Sequence, residues 1–197
     1  MKKLFNSESR LTQGFGARPA YYSQFGLKGH EGADYVPTSS DWSVLALEDG
    51  IVIKDDDVAG DKRTDAYGKS VTIWHPKINK ATQYCHLAEN IVRLNDTVTR
   101  GQKIGTMGAT GNTDGAHVHL NLFETDTEGY RKYKANGFNG GIDPASFLED
   151  PVETMQDIAQ ELTPQSKLPL FDNKEQQQIL AEYQAKDRKI ADDAQII

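Results

Sequence analysis

Gly111-Asn112-Thr113-Asp114-Gly115-Ala116-His117-Val118-His119-Leu120 is the segment around which the rest of the chain is arranged. In an extended strand successive side chains point to opposite faces, so His117 and His119 project together from one face while Val118 and Leu120 enter the other. A strand apolar on one side and carrying two imidazoles on the other belongs to a sheet that covers a core and displays a site. Neutral imidazole is the commonest metal ligand, and it is the side chain whose ordinary titration lies near neutrality. Two ligands alone do not hold a metal, and strand geometry leaves the two histidines interchangeable as ligand and proton carrier.

Further donors stand upstream in Gly29-His30-Glu31-Gly32-Ala33-Asp34. A His and an Asp four residues apart, with glycines at 29 and 32 letting the backbone turn sharply, can converge on one cation from a loop. With one member of the later pair they supply two nitrogens and one oxygen, the three-ligand pattern of a catalytic zinc that keeps a fourth position open. The other member of the pair, together with His86 in Thr82-Gln83-Tyr84-Cys85-His86-Leu87, is then free for proton transfer. Strand alternation places Tyr84 on the face of His86 and makes it a candidate substrate contact.

These residues, H-x-x-x-D, then Y-x-H-L, then H-x-H, resemble the lysostaphin-type (LytM) zinc endopeptidases of bacterial peptidoglycan. The likeness runs over residues 12–148 and takes in Gly14-Phe15-Gly16-Ala17-Arg18, the turn Val98 to Gly105, and Asp143-Pro144 with Phe147-Leu148. Several ordered motifs at compatible intervals are more specific than any one of them. The resemblance implies an all-β catalytic domain of antiparallel sheets folded over one another, of the barrel-sandwich type. It implies one Zn2+ on His30, Asp34 and His119, His86 and His117 as catalytic bases or acids, and hydrolysis of a peptide bond in the stem or cross-bridge. His75, before Pro76, matches a supporting position outside the site. Leu120 and Asn121 stand where the family usually carries an aromatic and an acid.

Composition narrows the partners. A net charge of -7 argues against nucleic acid, whose binding rests on basic patches, and against an electrostatic hold on lipid headgroups. No run of 18 apolar residues spans a membrane, and the first eight residues lack the apolar core of a signal peptide. Action at the cell wall is therefore expected through a phage particle or release by lysis. The single Cys85 excludes an internal disulfide and reads as a small core hydrophobe.

Along the chain, residues 1–11 read as a polar lead-in and Gly14 to Gly29 as irregular loop, whose Tyr21, Tyr22 and Phe25 either wall a substrate groove or cover the sheet. Tyr35 to Asp41 reads as a turn. Short β-branched runs at 42–47, 50–54, 70–75, 81–87 and 119–124 predict the antiparallel strands. The loop from Asp55 to Gly68 carries five aspartates but no calcium-loop spacing. The expected organisation is a zinc endopeptidase β domain over 1–150, a proline-bearing linker over 151–171 and an amphipathic helix over 172–197, the last packing on the β domain or on a partner or second copy. Two rival functions stand beside the peptidase. One is a catalytically silent family member serving as a structural or regulatory module; the other is a phosphotransfer carrier of the enzyme IIA type, with phosphate on paired histidines. Glu31 is not a zincin-type base, because Asp34 occupies the place where a second His is required.

Overall fold

The computed structural model describes residues 2–57 and 66–149. The expected linker, the expected C-terminal helix and most of the aspartate loop lie outside the described residues. The chain divides into a unit of Met1–Leu148 and a unit of Glu149–Ile197, and the architecture below is that of the first.

Ten strands run in chain order as β1 (Ser9–Gln13), β2 (Ala33–Pro37), β3 (Ser43–Leu45), β4 (Gly50–Asp56), β5 (Lys69–His75), β6 (Lys80–Asn90), β7 (Thr97–Val98), β8 (Lys103–Met107), β9 (Val118–Glu124) and β10 (Gly141–Ile142). Every described pairing is antiparallel. The main path is β1-β2-β9-β6-β5-β4-β7, with β10 on β9 and with β8 joining β3 to β6. The all-β expectation holds; the only α-helical turns among the described residues are α1 (Pro19–Tyr22) and α2 (Ala145–Leu148).

The eleven-residue β6 makes the sheet fork. One of its edges follows β5, while the other pairs β9 through Lys80–Cys85 and then β8 through Leu87–Asn90. The change of partner falls at His86, a non-glycine residue at φ 62, a left-handed conformation that bulky side chains rarely adopt. Both branches then close on one core. Val44, Ile104 and Met107 from β3 and β8 share it with Val118, Leu120 and Leu122 from β9, Tyr35 from β2, and Val71 and Ile73 from β5. The expected alternation along β9 is thus met: its even-numbered residues from Val118 to Leu122 are core, and His119 and Asn121 take the other face.

Two readings of the sequence are corrected. The first residues are no lead-in: Leu4 and Phe5 are fully buried, Phe5 bridges to Val44, and Leu4 accepts the Leu45 N–H at 2.9 Å. Polar neighbours hid two apolar residues too few for a periodicity to register. Residues 33–37 form β2 despite Pro37, which closes the strand where a missing N–H costs little. No helix among the described residues is long and apolar enough to cross a membrane.

Candidate functional site

β9 lies between β2 and β6, and the register sets Asp34 directly across from His119 on one side and Cys85 across from it on the other. Asp34 and His119 therefore meet through sheet pairing alone. His30 arrives from the loop before β2, which is sewn to the Gly14–Arg18 segment by Gly16 N–H to His30 O (2.8 Å) and His30 N–H to Ala17 O (3.0 Å). The flanking glycines serve close approach rather than a sharp turn. A Cβ at Gly29 would stand 2.5 Å from Gly16 O, and one at Gly32 would stand 2.5 Å from Leu120 O; neither has a positive φ.

Three donor atoms converge. His119 Nδ1 is 2.8 Å from His30 Nε2 and 2.9 Å from Asp34 Oδ1, and His30 Nε2 is 3.3 Å from the same oxygen. All three residues are buried, and their ligand atoms lie within 4.8 Å of one another. His30 Nδ1 stands 3.2 Å from the Gly14 carbonyl, which can only accept, so the proton resides on Nδ1 and the Nε2 lone pair turns inward. Burial pushes the Asp34 carboxyl up, but the imidazoles of His119 and His30 beside it outweigh that and hold the group well below the usual carboxylate range. Two imidazole nitrogens and one ionised carboxylate oxygen form the donor set of a zinc site.

The two remaining imidazoles flank this cluster. His117 Nε2 is 3.6 Å from Asp34 Oδ1, and its Nδ1 donates to the Gly115 carbonyl at 2.9 Å. His86 Nδ1 donates to the Thr110 carbonyl at 2.8 Å, and its ring is 4.8 Å from that of His117 and 5.9 Å from that of His119. In each the carbonyl fixes the tautomer and leaves Nε2 as the basic atom. Burial first, then the neighbouring His119 and His117, push the His86 pKa down to about 4 against the opposing Thr110 carbonyl; the ring is neutral at physiological pH.

Tyr84 is not part of the site. Its side chain is fully buried in the core, where its hydroxyl accepts the Leu47 N–H at 2.9 Å and the Thr82 hydroxyl at 3.1 Å. Alternation fails because the positive φ of His86 reverses the strand's facing, so Tyr84 and His86 end on opposite sides of the sheet. The tyrosine that does line the cleft is Tyr67. Its hydroxyl donates to Glu31 Oε1 at 2.8 Å, its ring is 5.9 Å from that of His119, and its carbonyl accepts the His86 N–H at 2.8 Å. Nothing in its local pattern marks it; the available signal is Gly68 beside it, at φ 61, where a Cβ would meet the Thr110 carbonyl carbon at 2.4 Å and the Gly111 nitrogen at 2.6 Å. Tyr21, Tyr22, Phe25 and Leu27 wall a cleft of about 230 Å³ that reaches His30, Glu31, Tyr67, His86, Asn112 and His119.

The model of peptidase family M23 matches residues 28–130. A curated relative, peptidoglycan DD-endopeptidase ShyC of Vibrio cholerae, is 32% identical over 124 residues, covering 60% of this chain and 27% of its own. The chain thus spans about a quarter of the length of that relative. Among solved structures, a zinc-containing peptidase from Vibrio cholerae superposes with a TM-score of 0.53 at 23% identity, over 77% of this chain and 41% of that one. The catalytic domain of lysostaphin from Staphylococcus simulans gives 0.53 at 21% identity, over 74% and 94%. At these identities the two superpositions speak for the fold.

Proposed function

Because the chain belongs to peptidase family M23, we propose that it is a zinc endopeptidase that hydrolyses a peptide bond in the stem or cross-bridge of peptidoglycan, with His30, Asp34 and His119 as the metal ligands. The observation that carries the reading is the convergence of those three donors from one loop and two paired strands, beside two imidazoles whose basic nitrogens are free of carbonyl partners.

A zinc ion held there supplies Lewis acidity to the attacking water and to the scissile carbonyl. The chain's own groups do the rest. His86, kept neutral by burial, takes the water's proton on Nε2; its Nδ1–H stays on Thr110, so the ring does not turn as it is protonated. His117, more exposed, hydrogen-bonded through Nδ1 to Gly115 and with its ring 4.8 Å from that of His86, receives that proton on Nε2; the imidazolium so formed faces the oxyanion and passes the proton to the leaving amine. Tyr21, Tyr22 and Phe25 press the peptide against the cluster and keep bulk water from one side of it.

A phosphotransfer carrier fits less well, since the ionised Asp34 lies 2.9 to 3.6 Å from three of the imidazoles and would repel a phosphoryl group. The relative's designation as a DD-endopeptidase makes a bond between D-residues the first substrate to offer. Delivery by a phage is a narrower form of the proposal; purified virions without a peptide of this chain would remove it. The decisive experiment is digestion of purified sacculi of different chemotypes, with and without a chelator, and identification of the released termini by mass spectrometry. Chelator-sensitive release of new amino termini is expected. A protein carrying stoichiometric zinc that releases nothing from any chemotype would overturn the activity while leaving the metal centre standing.

A further inference from the structure

The atom that His119 offers to the cluster is Nδ1, at 2.8 Å from His30 and 2.9 Å from Asp34. A neutral imidazole that gives its Nδ1 lone pair carries its proton on Nε2. His119 Nε2 is buried without a hydrogen-bond partner among the described protein atoms, and a buried N–H left so is destabilising. Metal-binding imidazoles are normally anchored through this second nitrogen, which sets both the tautomer and the ring angle.

Four buried side-chain oxygens among the described residues likewise lack a partner: Glu31 Oε2, Asn90 Oδ1, Asn121 Oδ1 and Thr125 Oγ1. Asn90 is committed at the far end of β6, where its amide holds Asp55, the Asp56 carbonyl and the Ser70 carbonyl. Thr125 follows the end of β9, with its N–H on the Asn79 carbonyl. Asn121 lies two residues along β9 from His119 and is fully buried on the same face. A Cβ at Gly32 would stand 2.6 Å from Asn121 Oδ1 and 2.9 Å from His119 Cε1, so the amide oxygen and the imidazole edge border the same slot under the ligand loop. The amide cannot be turned over at will, because its Nδ2 donates at 3.3 Å to Oε1 of Gln83, its register partner on β6.

The geometry points to Asn121 as a positioning residue of the metal centre: its side-chain oxygen accepts the His119 Nε2 proton through one bridging water, and thereby holds Nδ1 as the lone pair offered to the cation. Gln83 orients Asn121 in turn, so a three-residue polar ladder crosses from β6 to the centre. Glu31, whose other oxygen takes the Tyr67 hydroxyl, is the rival acceptor. The inference rests on the proposed zinc site, and zinc stoichiometry of the wild-type protein tests that site separately.

The experiment measures zinc affinity by competition with a chromophoric chelator in wild type, Asn121→Leu, Asn121→Asp and Glu31→Gln, with circular dichroism and thermal unfolding of the metal-free proteins as a check on folding. Asn121→Leu is expected to weaken zinc binding about 10- to 100-fold, the usual effect of losing such a partner. Asn121→Asp, which keeps an acceptor, restores affinity to within about threefold of wild type, a rescue that packing alone does not produce. Nitrogen NMR of the histidine rings supplies a readout in the wild type itself: the His119 proton is expected on Nε2, slow to exchange with solvent. Should Asn121→Leu fail to fold, that resonance decides. Wild-type affinity in a folded Asn121→Leu protein, a loss confined to Glu31→Gln, or a His119 Nε2 proton that exchanges as fast as an exposed imidazole's would overturn the assignment.

Discussion

Replacing Tyr84 by Phe separates a core tyrosine from a substrate contact. The hydroxyl it removes is fully buried, accepts the backbone N–H of Leu47 at 2.9 Å and receives the Thr82 hydroxyl at 3.1 Å, while Thr82 Oγ1 also meets His75 Nε2 at 2.8 Å. Without it the Leu47 N–H has no acceptor, at a cost of about 1–3 kcal/mol; the Thr82 hydroxyl can still serve His75, which limits the loss. For a domain of this size the melting temperature falls by about 2–4 °C per kcal/mol. Urea unfolding monitored by tryptophan fluorescence reads the stability, and sacculus digestion at 25 °C, normalised to folded protein, reads the function. Expected are a lower denaturation midpoint, an unchanged slope, and unchanged kcat and KM. The double variant with Thr82→Val should lose less than the sum of the two single losses, because both act on one chain of hydrogen bonds. A raised KM in a protein of wild-type stability would refute the core placement and return Tyr84 to the cleft.

His86→Ala is expected to lower kcat by about 10²- to 10⁴-fold with zinc content intact, since the ring lies beside the donor set without belonging to it; metal analysis alongside kinetics checks this, and loss of zinc would contradict it. Gly32→Ala should abolish stable zinc binding and lower the melting temperature, because the added methyl would meet the Leu120 carbonyl at 2.5 Å and the His119 ring at 2.9 Å; wild-type affinity would show that the loop yields. His75 is fully buried between the Asp49 carbonyl and Thr82, and burial pushes its pKa from 6.5 down to about 4. The folded state therefore binds fewer protons than the unfolded one between those values, so this stability is whole above pH 6.5 and is lost as the pH falls toward 4, about 3 kcal/mol in all. Urea titrations across that range should show a shallower acid loss in His75→Gln than in wild type, and identical slopes would refute the assignment.

The pairing of His117 with His119, the apolar face of β9 and the donors His30 and Asp34 are legible in the sequence because each depends on a short spacing within one loop or strand. Tyr84 is misread because the period of two is broken by a histidine with a positive φ, and no residue type announces that. Leu4 and Phe5 escape because two apolar residues form no pattern, and their burial depends on β3 arriving from elsewhere. Tyr67 and Asn121 escape for a third reason. Their roles arise only when Glu31, Gln83 and His119 are brought alongside by strand register, a relation between positions far apart in the chain.

Lys2 donates its backbone N–H to the Leu148 carbonyl at 2.9 Å, and its ammonium rests 4.7 Å from the centre of the Phe147 ring. The unit of Met1–Leu148 is thus a circuit whose entrance and exit adjoin. A unit of this kind can be spliced into the surface loop of a host protein, or rejoined by a short bridge and reopened at another exposed turn, without drawing its strands apart. The same adjacency leaves fusion at residue 2 a poor choice, since a bulky graft there would pry at the seam between Leu4, Phe5 and the strand they lie on.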